Sequence, residues 1–177
     1  MTQYVEIRPL EPDDDRGGFS CGQADLDRFF EHYAGQNQFK LRLAVTYVAV
    51  LHASVVGFAT VAASSIERAS VPSARARKRL PTYPLPVLRL ARLGVDTRAQ
   101  GVGVGKALLR HVLSLALNQR DLLGCVGVVV DSKPGAVKFY DALGFQRLEG
   151  VREGLLVSET QPMFLAIDTV ASALAPR

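Results

Sequence analysis

Arg92-Leu93-Gly94-Val95-Asp96, followed after three residues by Gln100-Gly101-Val102-Gly103-Val104-Gly105-Lys106, decides how this chain folds. The apolar run Val87 to Val95 reads as a strand, and a helix opens at Lys106-Ala107-Leu108-Leu109. Three glycines at alternate positions leave a row of backbone N–H groups without Cβ cover at the positive end of that helix. Such a turn cradles a phosphate-bearing cofactor, or is simply a tight strand-to-helix connection. The dinucleotide fingerprint needs Gly-x-Gly-x-x-Gly with an acidic residue about 20 positions on. Here the spacing is Gly101-x-Gly103-x-Gly105, and Asp121 arrives only after the helix. A P-loop needs a hydroxyl after Gly-Lys, and Gly105-Lys106 is followed by Ala107. Both fit poorly.

A second stretch follows a β-branched run ending Val128-Val129-Val130. It reads Asp131-Ser132-Lys133-Pro134-Gly135-Ala136-Val137-Lys138-Phe139-Tyr140-Asp141-Ala142-Leu143-Gly144-Phe145. Pro134 suits a first helical turn and Gly144 a helix end. Ala136, Phe139, Tyr140 and Leu143 share one face at helical spacing. Gln100, Gly103 and Gly105 meet the pattern Gln/Arg-x-x-Gly-x-Gly/Ala. With Ala136-x-x-Phe139-Tyr140-x-x-x-Gly144-Phe145 in the right order, the chain resembles the GNAT superfamily of acetyl-CoA-dependent N-acetyltransferases. The resemblance implies an α/β chain with the GNAT fold: a mixed central sheet of about six to seven strands with helices on both faces.

The composition agrees with one folded domain over residues 1–177: 48% of residues are hydrophobic and 21% charged. No apolar run approaches the ~20 residues a bilayer span requires, and the N-terminus carries no signal-peptide pattern. Cys21 and Cys125 stand isolated, with no partner at metal-ligand spacing. Two free thiols, no metal and a cytoplasmic setting are expected. The net charge is only +4, but Arg75, Arg77, Lys78 and Arg79 lie within five positions, and Arg89 and Arg92 follow. A run like this is a solvated loop or an anion-binding surface.

Along the chain, Tyr4 to Leu10 reads as a first strand. Ser20 and Gln23 form a candidate capping box before a helix with Leu26, Phe29, Phe30 and Tyr33 on one stripe. Strands 43–51 and 55–63 flank the hairpin-sized turn His52-Ala53-Ser54, with His52 a surface residue. Residues 64–86 read as a basic, proline-bearing insertion. Then come strand 87–95, helix 104–119, strand 124–131 and helix 134–143, with 145–148 and 162–167 completing the sheet. The tail after Asp168 reads as linker-like.

The resemblance assigns roles residue by residue. Leu93, Gly94 and Val95 would pair with the pantetheine arm through their backbone, Val95 N–H polarising the thioester carbonyl and stabilising the oxyanion. Gln100, Gly101, Val102, Gly103, Val104, Gly105 and Lys106 would hold the pyrophosphate through backbone N–H groups, and Lys133 is a further cofactor contact. Tyr140 matches the tyrosine that donates to the departing thiolate; its alternative is a core aromatic. A tyrosine of pKa ~10 is a weaker acid than a thiol of ~8.5, so full proton transfer would be uphill by about 2 kcal/mol and a hydrogen bond is the safer role.

Many GNAT enzymes place a glutamate on the strand before the glycine loop as general base. Here that strand, 87–95, has no carboxylate. Deprotonating a lysine amine at pH 7 costs about 4.6 kcal/mol, an α-amine about 1, and an esterified amino acid less still. Arginines without a base suit an amine that is already largely neutral and attached to something anionic.

One branch combines these features: the GNAT toxins of bacterial toxin–antitoxin pairs, which acetylate aminoacyl-tRNA. The chain is similar to that branch in Phe19-Ser20-Cys21-Gly22 before Leu26-Asp27-x-Phe29-Phe30. It is similar again in Leu80-Pro81-x-Tyr83-Pro84-x-Pro86 leading to the glycine loop, and in Pro162-Met163-Phe164-Leu165. Gly94 departs from it, standing where alanine is usual, and Pro134-Gly135 replace more polar residues. The branch implies that Arg75, Arg77, Lys78, Arg79, Arg89 and Arg92 contact tRNA phosphates. It also implies a ribbon-helix-helix antitoxin and a homodimer. Two other readings stay open: a GNAT enzyme acting on a small amine or protein N-terminus, and a non-catalytic acetyl-CoA sensor or RNA-binding module.

Overall fold

The computed structural model describes residues 4–148 and 160–176. In chain order these form β1 (Glu6–Pro9), α1 (Ala24–His32), a π-helical turn (Gln36–Lys40), β2 (Val45–Leu51) and β3 (Ser54–Ile66). Next come α2 (Ala74–Arg79), β4 (Leu85–Val95), α3 (Val104–Leu122), β5 (Gly127–Ser132) and α4 (Val137–Ala142). β6 (Gln146–Arg147), β7 (Gln161–Ala166) and α5 (Ile167–Leu174) complete the order. The strands hydrogen-bond as one seven-stranded sheet in the order β1-β2-β3-β4-β5-β7-β6. The mixed α/β class expected from the sequence is present.

The chain divides into two compact units: Met1–Ala62 with Leu90–Val112, and Ala63–Arg89 with Leu113–Arg177. In the first, β1, β2 and β3 form an antiparallel meander, with Glu6 opposite Val50 and Val45 opposite Val61. Its hairpin turns on His52 and Ala53, both left-handed (φ 49° and 62°), as the twist of a two-residue hairpin demands. His52 is exposed, as expected. Leu10, Leu26, Phe29, Phe30, Ala34, Val48 and Phe58 build the core. The rings of Phe30 and Phe58 stack with centroids 4.5 Å apart. Each such ring, fully buried, contributes roughly 1.5–3 kcal/mol.

The capping box is not formed. Gln23 is the N-cap of α1 and makes no side-chain cap hydrogen bond; Asp27 Oδ1 instead accepts from the Cys21 N–H at 2.8 Å. A carboxylate in the first turn can satisfy a donor ahead of the helix as well as a glutamine can.

In the second unit β5 pairs antiparallel with β7 from Gly127–Ala166 to Ser132–Gln161, and β6 pairs with β7. Ile66, Val71, Leu85, Val87, Val129, Leu148 and Phe164 form its core, with Ala76 and Leu80 packed against it. The basic insertion is therefore folded. Ser73 Oγ accepts from the Ala76 N–H at 3.2 Å to cap α2. Ala76 and Leu80, four residues apart, face the core, while Arg75, Lys78 and Arg79 are exposed.

The tail after Asp168 is not a linker. It lies in α5, where Ile167, Val170, Ala171 and Leu174 recur at helical spacing and Val170 is fully buried. Cys21 and Cys125 are both free and buried. No helix among the described residues is long and apolar enough to cross a membrane.

Candidate functional site

The connection from β4 to α3 is built in the first unit, and its side chains do structural work. Asp96 is 1% exposed. Its carboxylate accepts from the Arg98 backbone N–H at 3.0 Å, from Arg98 Nε at 2.9 Å and from the Ser20 N–H at 3.3 Å. The Arg98 guanidinium, then these backbone donors, hold its pKa down to about 2 against the cost of burial. Thr97 N–H donates to Ser20 O at 2.9 Å. Gln100 Nε2 donates to Val95 O at 2.9 Å and Cys21 O at 3.1 Å. The loop is thus stapled to residues 20 and 21, and the Gln100 amide is engaged in holding the turn.

Gly101 and Gly103 are left-handed, at φ 80° and 95°, a region that Cβ-bearing residues rarely enter. A Cβ built on either meets nothing within 4 Å, so the space over the turn is open. Val102 is 67% exposed and Lys106 is exposed, whereas Val104 is buried. Gly105 lies inside α3, where an added Cβ would sit 3.6 Å from Val95 Cγ2, ordinary contact. The first-turn N–H groups of a 19-residue helix follow this open face.

Gly94, the departure from the resembled branch, has a local cause. A Cβ there would come within 2.9 Å of the Phe58 ring and 3.4 Å of Cys21 Sγ. Leu93 and Val95 on either side are half-buried. Burial, then the Asp27 carboxylate, pushes the Cys21 thiol up to about 11, so it stays protonated beside the strand.

Arg92 is placed by α1. Its guanidinium lies 3.9 Å from the centre of the Phe29 ring, a cation–π contact. It opens into a cleft of about 330 Å³ lined by Asp25, Arg28, Phe29, Tyr33, Asn37 and Arg92. Arg28 and Tyr33 were not singled out in the sequence; Tyr33 belonged to the core stripe but is 50% exposed. Tyr33 is the C-cap of α1, just past its last helical residue, where the helical period no longer fixes which way the side chain points.

In the second unit Tyr140 is 5% exposed on α4. Its ring packs edge-to-face on Phe139 and Phe145, with centroids 5.1 and 5.3 Å away. Burial pushes its hydroxyl well above the ordinary tyrosine range, and the Asp131 carboxylate adds to the push. The hydroxyl therefore keeps its proton and can donate a hydrogen bond. Lys133 caps the 3-10 turn Pro134–Ala136 that leads into α4.

The six basic side chains separate into free-standing and engaged groups. Arg75, Lys78 and Arg79 project from α2 into solvent. Arg77 is half-buried and donates to Val71 O at 2.6 Å and Pro72 O at 3.1 Å. Arg89 Nη1 donates to both carboxylate oxygens of Asp131, at 2.7 and 2.8 Å. Arg89 Nε reaches Ser64 Oγ at 3.3 Å. Arg77 and Arg89, grouped with the phosphate contacts in the sequence, thus have intramolecular partners that charge alone does not reveal.

Comparison with known proteins follows this geometry. Residues 21–163 match the family described as acetyltransferase (GNAT) domain. A tRNA-acetylating toxin of Mycobacterium tuberculosis is 29% identical over 168 residues, covering 94% of this chain and 93% of the toxin. A probable toxin TacT of Sinorhizobium fredii is 30% identical over 179 residues, covering 95% and 94%. The solved structure of AtaT complexed with acetyl-methionyl-tRNAfMet superposes with a TM-score of 0.85 at 25% identity, over 97% of this chain and 100% of AtaT.

Proposed function

The chain belongs to the acetyltransferase (GNAT) domain family, and from that premise we propose that it transfers the acetyl group of acetyl-CoA to the α-amino group of aminoacyl-tRNA, acting as a toxin that blocks translation. The observation that carries this reading is similarity to a tRNA-acetylating toxin along 94% of the chain. The two units serve as one acetyltransferase domain in this reading, since the family match runs through residues of both.

The glycine turn fits the pyrophosphate of acetyl-CoA. Left-handed glycines, open space where Cβ atoms would stand and helix-first-turn N–H groups make an anion cradle of backbone alone. Gly101 to Lys106 hold the phosphates there, with Gln100 keeping the turn in shape through its amide. The backbones of Leu93, Gly94 and Val95 take the pantetheine arm, Val95 N–H facing the thioester oxygen, and Lys133 supplies a further contact. Acetyl-CoA brings an activated acyl group, so what the chain adds is position and charge stabilisation.

Tyr140 acts as hydrogen-bond donor to the leaving thiolate. Its raised pKa argues against outright proton donation, because the hydroxyl is then an even weaker acid than a free tyrosine. No carboxylate stands on β4 to strip a proton from the amine. An aminoacyl ester does not need one, its amine being largely neutral near pH 7.

Arg75, Lys78 and Arg79 hold acceptor-stem phosphates from the exposed face of α2, and Arg92, in the Phe29 cleft of the first unit, is a further phosphate contact. A cytoplasmic setting, a ribbon-helix-helix antitoxin and a homodimer complete the reading, all drawn from the toxin branch that the sequence resembles. The test is transfer of labelled acetyl from acetyl-CoA to charged tRNA, uncharged tRNA and free amino acids. Charged tRNA should be acetylated and the other two poorly; equal activity on a free amino acid would replace this reading with a small-molecule enzyme.

A further inference from the structure

Arg89 stands two residues beyond Val87 on β4, and Asp131 two residues beyond Val129 on β5, so each shares a strand face with a residue of the second unit's core. The arginine tops that core and reaches two strands. Its Nη1 lies 2.7 and 2.8 Å from the two Asp131 oxygens, and its Nε 3.3 Å from Ser64 Oγ on β3. Both charged side chains are partly shielded, 32% and 23% exposed. A guanidinium bound on two of its three nitrogens and shielded in this way is poorly placed to meet a phosphate. Asp131 is the last but one residue of β5, the strand that leads through Lys133 to Tyr140, and its carboxylate adds to what burial does in raising the pKa of the Tyr140 hydroxyl.

We propose that Arg89 is a positioning residue for acetyl transfer, clamping and neutralising Asp131 near the end of the strand that leads to Tyr140, and is not a tRNA-phosphate contact. The inference rests on the acetyltransferase reading above. In the transfer, the amine nitrogen forms a bond to the acetyl carbon as the carbon–sulfur bond breaks. The sulfur leaves with the electron pair and accepts a hydrogen bond from Tyr140, which keeps its proton, and the nitrogen gives up one proton to solvent. A carboxylate left unpaired on the strand leading to that tyrosine opposes the growing negative charge on sulfur. Arg89 cancels that opposition, and its contact with Ser64 fixes where the carboxylate stands.

The experiment compares Arg89→Ala, Asp131→Asn and the double variant on charged tRNA, separating kcat from KM and repeating the series across salt concentrations. Arg89→Ala should lower kcat about tenfold, with KM for tRNA and its salt slope unchanged. Asp131→Asn alone, nearly isosteric, should keep kcat within about twofold of wild type. Added to Arg89→Ala, it should restore most of the lost rate, the non-additivity expected of a coupled pair. A raised KM with the salt slope flattened by about one unit would make Arg89 a phosphate contact and overturn the proposal. A double variant as slow as Arg89→Ala would overturn it too, reducing the pair to scaffolding. Should Arg89→Ala fail to fold, Asp131→Asn decides alone: a tenfold loss there overturns the neutralising role. If wild type leaves charged tRNA unmodified, the tRNA reading fails by itself, and the same kcat pattern is then read with glycine methyl ester as the amine.

Discussion

The glycine loop of the first unit and the basic segment of the second both face solvent, and in the proposed function they meet anions in opposite ways. Between Asp96 and Val104 the loop offers backbone, and its polar side chains are turned to internal use: Asp96 holds Ser20 and Arg98, and Gln100 holds Val95 and Cys21. Between Val71 and Leu80 the segment offers side chains. Even there Arg77 is drawn inward to Val71 and Pro72, leaving Arg75, Lys78 and Arg79 outside. A backbone cradle is fixed by dihedral angles and works by short, oriented hydrogen bonds. A spray of long cations works by charge, is screened over about 8–10 Å by salt, and tolerates movement. The first suits a cofactor of fixed shape and the second a polyanion.

Tyr140 belongs to neither region and should carry the largest effect. Tyr140→Phe keeps the ring contacts with Phe139 and Phe145, so thermal stability should stay near wild type. Acetyl transfer should fall by roughly 10²-fold or more. Wild-type turnover in that variant would return the residue to core packing.

The staple of the loop should show next, as stability. Asp96→Ala removes the acceptor of the part-buried Ser20 and Arg98 N–H groups, and should cost about 1 kcal/mol in chemical denaturation. The same carboxylate has a folded pKa of about 2 against 3.8 as its ordinary value. Because the folded value is the depressed one, its contribution is fully present above about pH 4–5. It is lost as pH falls towards 2, on the order of 1–2 kcal/mol allowing for the exposure of Arg98. Asp96→Asn should flatten the acid limb of the stability profile; an unchanged limb would mean the loop is held some other way.

The cradle itself is sharpened by two glycines of unlike geometry. Gly103→Val puts a branched side chain at φ 95°, into open space over the turn. It should weaken acetyl-CoA binding at least tenfold, about 1.4 kcal/mol. Gly105→Ala, in ordinary contact inside α3, should leave stability equal or up to about 1 kcal/mol higher. Calorimetry giving equal affinity for wild type and folded Gly103→Val would break the assignment of this turn to the pyrophosphate.

The basic segment should respond most gently and most selectively. Lys78→Ala and Arg79→Ala should each flatten the salt dependence of tRNA binding by about one unit, without changing stability. Arg77→Ala should instead cost about 1 kcal/mol of stability through its carbonyl contacts, and a change in salt slope of the same size would erase the distinction between free and engaged arginines.

Much of the fold was legible because it depends on local rules. The hairpin at His52-Ala53, the strand-to-helix turn at Gly101 to Gly105 and the short helix ending before Gly144 all follow from spacing and turn chemistry. The Ser20–Gln23 box failed because the helix starts at Ala24, with Gln23 itself as N-cap, and the Ser20 N–H that the box would use donates to Asp96. The helix Ile167–Leu174 was passed over although its apolar stripe is complete, since an alanine-rich chain end reads as easily as a linker.

The sequence by itself determined the shape of the turn at Gly101 and Gly103, because glycine alone enters those left-handed angles readily. It also determined that a tyrosine follows the right strand and that cations crowd one segment. Which of those cations remain available was decided only by the tertiary structure. Arg89 meets Asp131 from 42 positions away, and Arg77 turns back to the carbonyls of Val71 and Pro72 just ahead of α2. Charge is a property of a residue, whereas its neutralisation is a property of a distance, and only the folded chain sets distances.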